Sequence, residues 1–335
     1  AKVTPEGSRD LLFEECDDRR KVETILSDLY EESNYRKVIT PTLEFFDVFR
    51  SGDVGLDADE MYKLTDNQGR TTVLRPDNTM PIARMVATRL SEDAFPVRLY
   101  YSQNVFVRNK ELAGRTDEIA QSGIEFIGDG TMEADLEVIT MACEAMKRVV
   151  PSFKIELGHA GYFGAVMNKL NVKPSVKTEI CHLIENKNFA ALGDLLDELD
   201  ECRETEVLRR LPRLFGGEEV LDEARSLYSD TQSDASLDYL KELYEKLCSE
   251  GLSDYILIDL GIVNRSNYYT GVIFRGYAQG SGVILLPGGR YDRLLGEFGT
   301  DKPAIGFAVD VTALCDVLSE KINIDRPLRL SLIHI

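Results

Sequence analysis

Long apolar runs are absent from this chain of 335 residues. No stretch reaches the roughly 18 consecutive apolar residues that a membrane-spanning helix needs. Residues 1–7 also lack the apolar core of a secretory signal peptide. We therefore expect a cytoplasmic protein that does not cross a membrane.

Paired cysteines are also missing. The six cysteines are scattered along the chain, with no CxxC pair and no histidine nearby at ligand spacing. This pattern argues against a zinc site and against the disulfide framework of a secreted protein. We expect reduced, mostly buried thiols and no bound metal.

Positive charge is scarce. The chain has 39 Lys and Arg residues against 58 Asp and Glu residues, which gives a net charge of −19. A protein that binds nucleic acid has to neutralise phosphates with Lys and Arg, and no basic run is visible. The acidity can equally serve only to keep the protein soluble. On balance we expect no binding of tRNA.

The rest of the sequence interleaves helical and strand patterns. We expect helices at residues 11–33, 79–90, 131–149, 290–297 and 311–321. We expect strands at residues 36–41, 61–65, 71–75, 97–106, 118–128, 155–158, 255–260, 272–277 and 282–286. Because strand follows strand across short loops, the fold is predicted to be α+β with a mostly antiparallel sheet flanked by helices.

Residues 160–250 differ from the rest because strand signals are absent and Leu and Glu dominate. We expect about four to six helices here, packed on their own as an all-helical insertion. The core domain would then comprise residues 1–159 and 251–321. Residues 322–335 would form a tail or the start of a further segment.

Several short motifs occur in a fixed order. They are Leu-Arg-Pro-Asp-Asn-Thr at 74–79, Arg115 followed by Gln-Ser-Gly-Ile-Glu at 121–125, and the segments 262–271, 289–292 and 303–308. In this order they resemble the histidyl-tRNA synthetase-like group of class II aminoacyl-tRNA synthetase folds. The resemblance covers nearly the whole chain and implies the antiparallel sheet of that group.

The resemblance also implies a pocket for free histidine. Its expected lining residues are Asp77, Thr79, Arg115, Gln121, Glu125, Tyr268, Tyr269 and Tyr291. The residue types suit this ligand, because an ammonium group needs carboxylate, amide or hydroxyl acceptors. An imidazole needs a hydrogen-bond partner at each ring nitrogen, which the hydroxyls of Tyr269 and Tyr291 can supply.

Each of these residues taken singly has a simpler interpretation. Asp77 can be a turn residue after Pro76. Glu125 can face solvent on a strand, and Tyr268 and Tyr269 can alternate between core and surface. The matched order of the motifs favours the pocket.

The arginines that hold ATP phosphates in synthetases of this group are replaced here. Those arginines matter because negative charge gathers in the transition state. The corresponding positions hold Val107, Asn264 and Ala313. Arg108 and Arg265 lie one place off and could substitute, although a shift of one residue along a strand turns a side chain to the other face. The resemblance therefore implies that adenylation is lost and that no catalytic residue remains.

A synthetase-like core without those arginines and with an acidic surface, which we expect to lack an anticodon-binding domain, resembles the regulatory subunits of ATP phosphoribosyltransferase. This implies a subunit without catalysis or a cofactor of its own. Such a subunit senses histidine, supports a short catalytic subunit in the first step of histidine biosynthesis and transmits feedback inhibition. It also implies a self-dimer through residues 36–49 within a larger hetero-oligomer. The alternatives are a histidyl-tRNA synthetase fragment and a paralogue acting on another amino acid or a protein substrate.

Overall fold

The computed structural model describes residues 2–50, 56, 58–90, 94–108, 116–263 and 268–325. Arg115, Asn264 and Arg265 lie outside this range, as do residues 326–335 of the predicted tail. Among the described residues, no helix combines the length and the apolar character needed to cross a bilayer.

The large sheet is mostly antiparallel, as predicted. The strands are β1 (Arg36–Lys37), β2 (Leu43–Phe45), β3 (Lys63–Thr65), β4 (Thr71–Leu74), β5 (Val97–Phe106), β6 (Glu118–Ile127), β7 (Phe153–His159), β8 (Phe215–Gly216), β9 (Ile256–Asp259), β10 (Val272–Ala278), β11 (Ile284–Arg290) and β12 (Ala304–Asp310). Nine of them form one sheet in the order β1-β5-β6-β12-β11-β10-β7-β9-β8, and a smaller sheet has the order β2-β4-β3. In the large sheet the β1–β5 and β7–β9 pairs are parallel and the other pairs are antiparallel.

The helices are α1 (Glu14–Glu32), α2 (Thr79–Arg89), α3 (Met132–Val149), α4 (Ala160–Lys169), α5 (Pro174–Glu185), α6 (Phe189–Asp197), α7 (Arg203–Arg210), α8 (Glu219–Leu227), α9 (Thr231–Ser249) and α10 (Val311–Asp325). Helix α1 follows from the spacing of Val22, Leu26 and Leu29, which places their side chains on one buried face. Helix α3 begins where predicted, because the hydroxyl of Thr131 accepts a hydrogen bond from the backbone N–H of Ala134 at 3.4 Å.

Three sequence predictions about local structure are wrong. The helix expected at 290–297 is absent: Arg290 is the last residue of β11, and only a short 3₁₀ helix follows at Leu294–Phe298. Strand β11 starts later than expected, at Ile284, and continues to Arg290. The sequence did not predict this continuation because Gly288 and Gly289 weaken the strand signal there. The strand expected at 36–41 extends only over residues 36–37.

The helical block, residues 160–250, does not pack on its own. Besides its six helices it contributes β8, which pairs with β9 at the edge of the large sheet. Its buried residues, among them Leu208 and Leu240, belong to the same continuous hydrophobic cluster as Val138 of α3 and Phe274 of β10. Helix α9 contacts both α3 and β7, so the core of the block is continuous with the core beneath the sheet.

The two faces of the large sheet belong to different clusters. Tyr100 lies in the cluster shared with the helical block, whereas Tyr101 lies in a second cluster together with Met80, Tyr268 and Tyr291. Successive side chains of a strand point to opposite faces, which explains this division. The second face is the one that carries the candidate site.

Candidate functional site

Seven of the eight predicted site residues line a single cavity of about 260 Å³. The cavity is lined by Asp77, Thr79, Tyr101, Gln121, Glu125, Tyr268, Tyr269, Pro287, Tyr291, Gly306, Phe307 and Ala308. The eighth predicted residue, Arg115, lies outside the described residues. A volume somewhat below the roughly 300 Å³ of the smallest drug-sized pockets suits a ligand as small as an amino acid.

The register of three strands brings the polar residues together. Glu125 of β6 lies opposite Gly306 of β12. On the other side of β6, Gly123 lies opposite Tyr101 of β5. Because Gln121 and Glu125 are four residues apart on one strand, their side chains point to the same face.

Sequence reasoning missed five lining residues: Tyr101, Pro287, Gly306, Phe307 and Ala308. Tyr101 carries no recognisable signal of its own, and only the β5–β6 register places it across from Gly123. Three of the other four, Gly306, Phe307 and Ala308, lie within the motif at 303–308, but the sequence does not say which residues of this motif face a cavity.

Glu125 is almost completely buried in the wall of the cavity, with 1% of its surface exposed. Its Oε1 accepts a hydrogen bond from the Thr79 hydroxyl at 2.7 Å, and its Oε2 accepts one from the Tyr291 hydroxyl. The simpler interpretation of Glu125 as a solvent-facing strand residue is wrong.

Gly306 allows the Glu125 carboxyl group to lie against the neighbouring strand. A Cβ atom at position 306 would stand 2.1 Å from Oε2 of Glu125 and 2.4 Å from the backbone oxygen of Ile124. No side chain fits at such distances, so glycine is required here. Gly289 is constrained in the same way, because its Cβ would lie 2.7 Å from the ring of Tyr269.

Asp77 is both a turn residue and a lining residue of the cavity. Its Oδ1 accepts a hydrogen bond from the backbone N–H of Met80 at 2.8 Å, which is the turn contact expected after Pro76. The same half-buried side chain also lines the cavity. Desolvation raises its pKa to about 6, although its bonds to the backbone N–H groups of Met80 and Thr79 oppose the rise.

The cavity holds two carboxyl groups and no described lining residue with a positive charge. Burial raises the pKa of Glu125 to about 8, against the lowering effect of the bonds from Tyr291 and Thr79, and the charge of Asp77 adds to the rise. A site of this kind gains most from a cationic ligand, which stabilises both carboxylates at once.

Three tyrosines form the aromatic wall. The rings of Tyr268 and Tyr269 meet edge to face with centroids 4.6 Å apart, and Tyr268 meets Tyr291 at 5.9 Å. Burial raises the pKa of all three phenols, so they stay neutral and can donate or accept hydrogen bonds. The simpler interpretation, that Tyr268 and Tyr269 alternate between core and surface, is wrong, because both residues line the cavity.

Comparison with known proteins identifies the family of the chain. The family model for histidyl-tRNA synthetase matches residues 7–314. The ATP phosphoribosyltransferase regulatory subunit of Clostridium acetobutylicum is 45% identical over 323 residues, which cover 95% of this chain and 79% of that protein. The regulatory subunit of Clostridium novyi is 42% identical over 339 residues, covering 99% of this chain and 80% of that protein. The chain belongs to the ATP phosphoribosyltransferase regulatory subunit family.

Solved structures confirm the synthetase-like α+β fold of this family member. An ATP phosphoribosyltransferase regulatory subunit/histidyl-tRNA synthetase from Bacillus halodurans C matches with a TM-score of 0.85 and 35% identity, over 95% of this chain and 83% of that one. A histidine–tRNA ligase subunit from Alicyclobacillus acidocaldarius matches with a TM-score of 0.82 and 27% identity, over 96% of this chain and 98% of that one.

Two of the positions where the resemblance expects a synthetase arginine are described in the structure, and they hold the uncharged residues Val107 and Ala313. The backbone N–H of Val107 donates to the oxygen of Asp117 at 2.8 Å, which extends the β5–β6 pairing by one residue. Strand alternation then puts Val107 on the face of Tyr101. Arg108 follows the end of this pairing: its backbone N–H donates to the oxygen of Glu60 at 2.9 Å, and its side chain is exposed. Ala313 lies in the first turn of α10, where its backbone N–H donates to the Asp310 carboxylate at 2.8 Å.

Proposed function

We propose that this chain binds free histidine in the cavity and, without catalysis of its own, activates and regulates a short ATP phosphoribosyltransferase catalytic subunit. The observation that carries the proposal is the meeting of Asp77, Glu125 and the three tyrosines in one cavity of amino-acid size. Membership of the regulatory-subunit family supports the partner.

Histidine fits the chemistry of the cavity better than an uncharged or anionic ligand. Its ammonium group can bind the two carboxylates, which otherwise repel each other. The imidazole ring can stack against the tyrosine wall and reach hydroxyl groups with its two nitrogen atoms. The side-chain amide of Gln121 is fixed for such contacts, because its oxygen accepts a hydrogen bond from the buried Asn78 amide at 3.1 Å.

The positions where the resemblance expects phosphate-binding arginines are unsuited to amino-acid activation. A phosphate-bearing transition state needs preorganised positive charge, and removing one such group typically lowers the rate by about two to three orders of magnitude. Val107 and Ala313 supply none. We therefore expect no histidine-dependent exchange of pyrophosphate into ATP by the pure protein, whereas turnover near about 1 s⁻¹ would show a working synthetase site.

Feedback inhibition requires histidine to bind one state of the assembly more tightly than another. On this proposal histidine favours the inhibited assembly, while the empty subunit supports catalysis by its partner. Activation and inhibition should therefore be separable by mutation of groups that touch only the ligand.

An exposed apolar face supports a self-dimer through residues 36–49. Leu43 and Phe45 are 52% and 42% exposed on β2, and Leu64 of β3 is 44% exposed. Phe45 and Leu64 both pair with Thr72 of β4, so they lie in one row across the small sheet. A contiguous exposed apolar surface of this kind is typical of an interface. The larger hetero-oligomer is proposed on family resemblance alone.

The net charge of −19 supports the expectation that the chain does not bind tRNA. A filter-binding assay near about 0.15 M salt should show no specific complex with a histidine tRNA. Specific binding at micromolar concentration or tighter would contradict this part of the proposal.

Calorimetry tests the ligand directly. Histidine should bind the wild-type protein, and Asp77→Ala or Glu125→Ala should weaken binding at least about tenfold, because the ammonium loses a carboxylate partner. The matched control is Glu297→Ala, which removes an exposed carboxylate outside the cavity. Normal histidine binding by both cavity variants would place the ligand elsewhere.

Activity in a reconstituted complex tests regulation. The wild-type chain and Tyr269→Phe are each mixed with a short catalytic subunit, and initial rates of phosphoribosyl transfer to ATP are measured against histidine concentration. The variant should still support catalysis but need more histidine for half inhibition, because a ligand shifts an equilibrium only by its differential affinity. An unchanged inhibition curve would place the histidine sensor outside this cavity.

A further inference from the structure

A buried polar network links the helical block to the cavity wall. We call it the Arg290 network, and its members are Arg290 of β11, Asp135 of α3 and Tyr239 of α9. Asp135 is fully buried, and its Oδ1 accepts from Nε of Arg290 at 2.7 Å. Its Oδ2 accepts from the Tyr239 hydroxyl at 2.5 Å.

The Arg290 guanidinium is fixed on all sides. Its Nη2 lies 2.5 Å from Oδ1 of Asp135 and 3.3 Å from the backbone oxygen of Thr131. Its Nη1 donates to the backbone oxygen of Asp129 at 3.2 Å and to the carboxylate of Asp292 at 3.0 Å. A planar guanidinium with this many partners has one orientation, and it ties the end of β11 to the start of α3.

Arg290 in turn positions the tyrosines of the cavity. The next residue is Tyr291, whose hydroxyl binds Glu125. The backbone oxygen of Arg290 accepts from the N–H of Thr270 at 2.8 Å, directly after Tyr269. The two sides of the aromatic wall therefore depend on the placement of one arginine.

The helical block contacts this wall at a second point. The backbone N–H of Ala160, the first residue of α4, donates to the oxygen of Gly271 at 2.9 Å. A Cβ atom on Gly271 would lie 3.0 Å from Cδ of Arg290, so the loop packs closely on the arginine stem. The imidazole of His159, just before α4, meets the ring of Tyr239 with centroids 5.7 Å apart.

We propose that Tyr239 is a positioning residue for the histidine cavity, acting through Asp135 and Arg290 on Tyr291. The proposal rests on the proposed histidine binding. It means that the helical block and the cavity affect each other: the block orients Tyr291 for the ligand, and the ligand stabilises the block. Thermodynamic linkage requires the two effects to be equal.

Deletion of one hydroxyl tests the proposal. Tyr239→Phe keeps the ring and its contact with His159 but leaves Oδ2 of Asp135 without this donor. Histidine binding, measured by calorimetry, should weaken by about three- to tenfold, which is at the lower end for residues coupled through one network. The matched control is Tyr162→Phe, which removes a buried hydroxyl bonded to the oxygen of Ala224 at 3.1 Å, also within the helical block.

Three further measurements distinguish positioning of the cavity from a general contribution of Tyr239 to stability, which would not affect them. Tyr239→Phe and Tyr291→Phe should be non-additive in a double-mutant cycle for histidine affinity, because both act on one contact. Histidine affinity should rise with pH as Glu125 ionises. In Tyr239→Phe this rise should occur at higher pH, because a weaker hydrogen bond from Tyr291 leaves the pKa of Glu125 higher. Histidine should slow amide hydrogen exchange in α9 and α4 of the wild-type protein, and less so in Tyr239→Phe.

The outcomes are distinct. A wild-type chain that does not bind histidine overturns the proposed function itself. Equal losses of affinity in Tyr239→Phe and Tyr162→Phe, or additivity with Tyr291→Phe, overturn the positioning by Tyr239 while leaving histidine binding intact. If Tyr239→Phe does not fold, unchanged hydrogen exchange of α9 in the wild-type protein on addition of histidine overturns the proposal alone.

Discussion

The pH dependence of histidine binding follows from the two carboxyl groups of the cavity. Burial raises the pKa of Glu125 to about 8, whereas that of Asp77 is raised only to about 6. In the empty protein near pH 7, Asp77 is therefore mostly ionised and Glu125 mostly protonated. A bound ammonium group favours the ionised form of Glu125, so binding of histidine should release a proton from it.

The size of the effect follows from the pKa difference. At pH 7, roughly nine in ten empty molecules carry a proton on Glu125, and each further pH unit downward makes ionisation about tenfold rarer. Histidine affinity should therefore rise with pH by up to about tenfold per unit, or about 1.4 kcal/mol, and level off above about pH 8. The buried tyrosines do not contribute, because burial holds their pKa values above this range.

Calorimetry at pH 7 in two buffers with different heats of ionisation counts the released protons. Glu125→Gln is the matched control, since it keeps the shape of the side chain but has no proton to release. The imidazole and ammonium groups of the ligand titrate in both experiments, so the difference between the two proteins belongs to Glu125. An equal proton count in the two proteins would refute the reasoning.

The raised pKa of Glu125 also makes the stability of the empty protein depend on pH. The unfolded chain releases the Glu125 proton near its ordinary pKa of 4.5, whereas the folded chain keeps it until about pH 8. The unfolded state thus binds fewer protons between these values, and the free energy of unfolding should fall as pH rises through this window. Urea denaturation of wild type and Glu125→Gln across the window measures the contribution, which should be missing in the variant.

Two further substitutions test the packing of the site. Gly306→Ala should abolish histidine binding and lower the melting temperature, because its Cβ would stand 2.1 Å from the Glu125 carboxylate, whereas Gly282→Ala, with no atom within 4 Å of its Cβ, should do neither. Asp135→Asn should lower the free energy of unfolding by about 3 kcal/mol in urea denaturation, because the buried Arg290 charge loses its fully buried carboxylate and keeps only that of Asp292. Asp316→Asn, which breaks an exposed bridge at 2.9 Å, should cost less than about 1 kcal/mol. Equal effects within either pair would contradict the proposed packing.

The cavity illustrates why single residues are weak evidence and their order is strong. Asp77 has an ordinary turn contact, and Glu125 occupies a strand where a carboxylate commonly faces solvent. Only the succession of motifs in one chain indicated that both belong to one site. The order of motifs is informative because it fixes which strands carry them, and strand periodicity then decides the face to which Gln121 and Glu125 point.

Local patterns and their order along the chain are enough to predict the fold class, the family and the seven described residues of the cavity. The folded structure sets the partners of those residues. Tyr291 meets Glu125 across 166 positions of sequence, and Arg290 meets Asp135 across 155. It also decided that Tyr101 belongs to the wall and that the helical block shares its core with the sheet. Burial, and with it the raised pKa of Glu125, arises from surfaces that meet only after folding, so no local pattern in the chain encodes it.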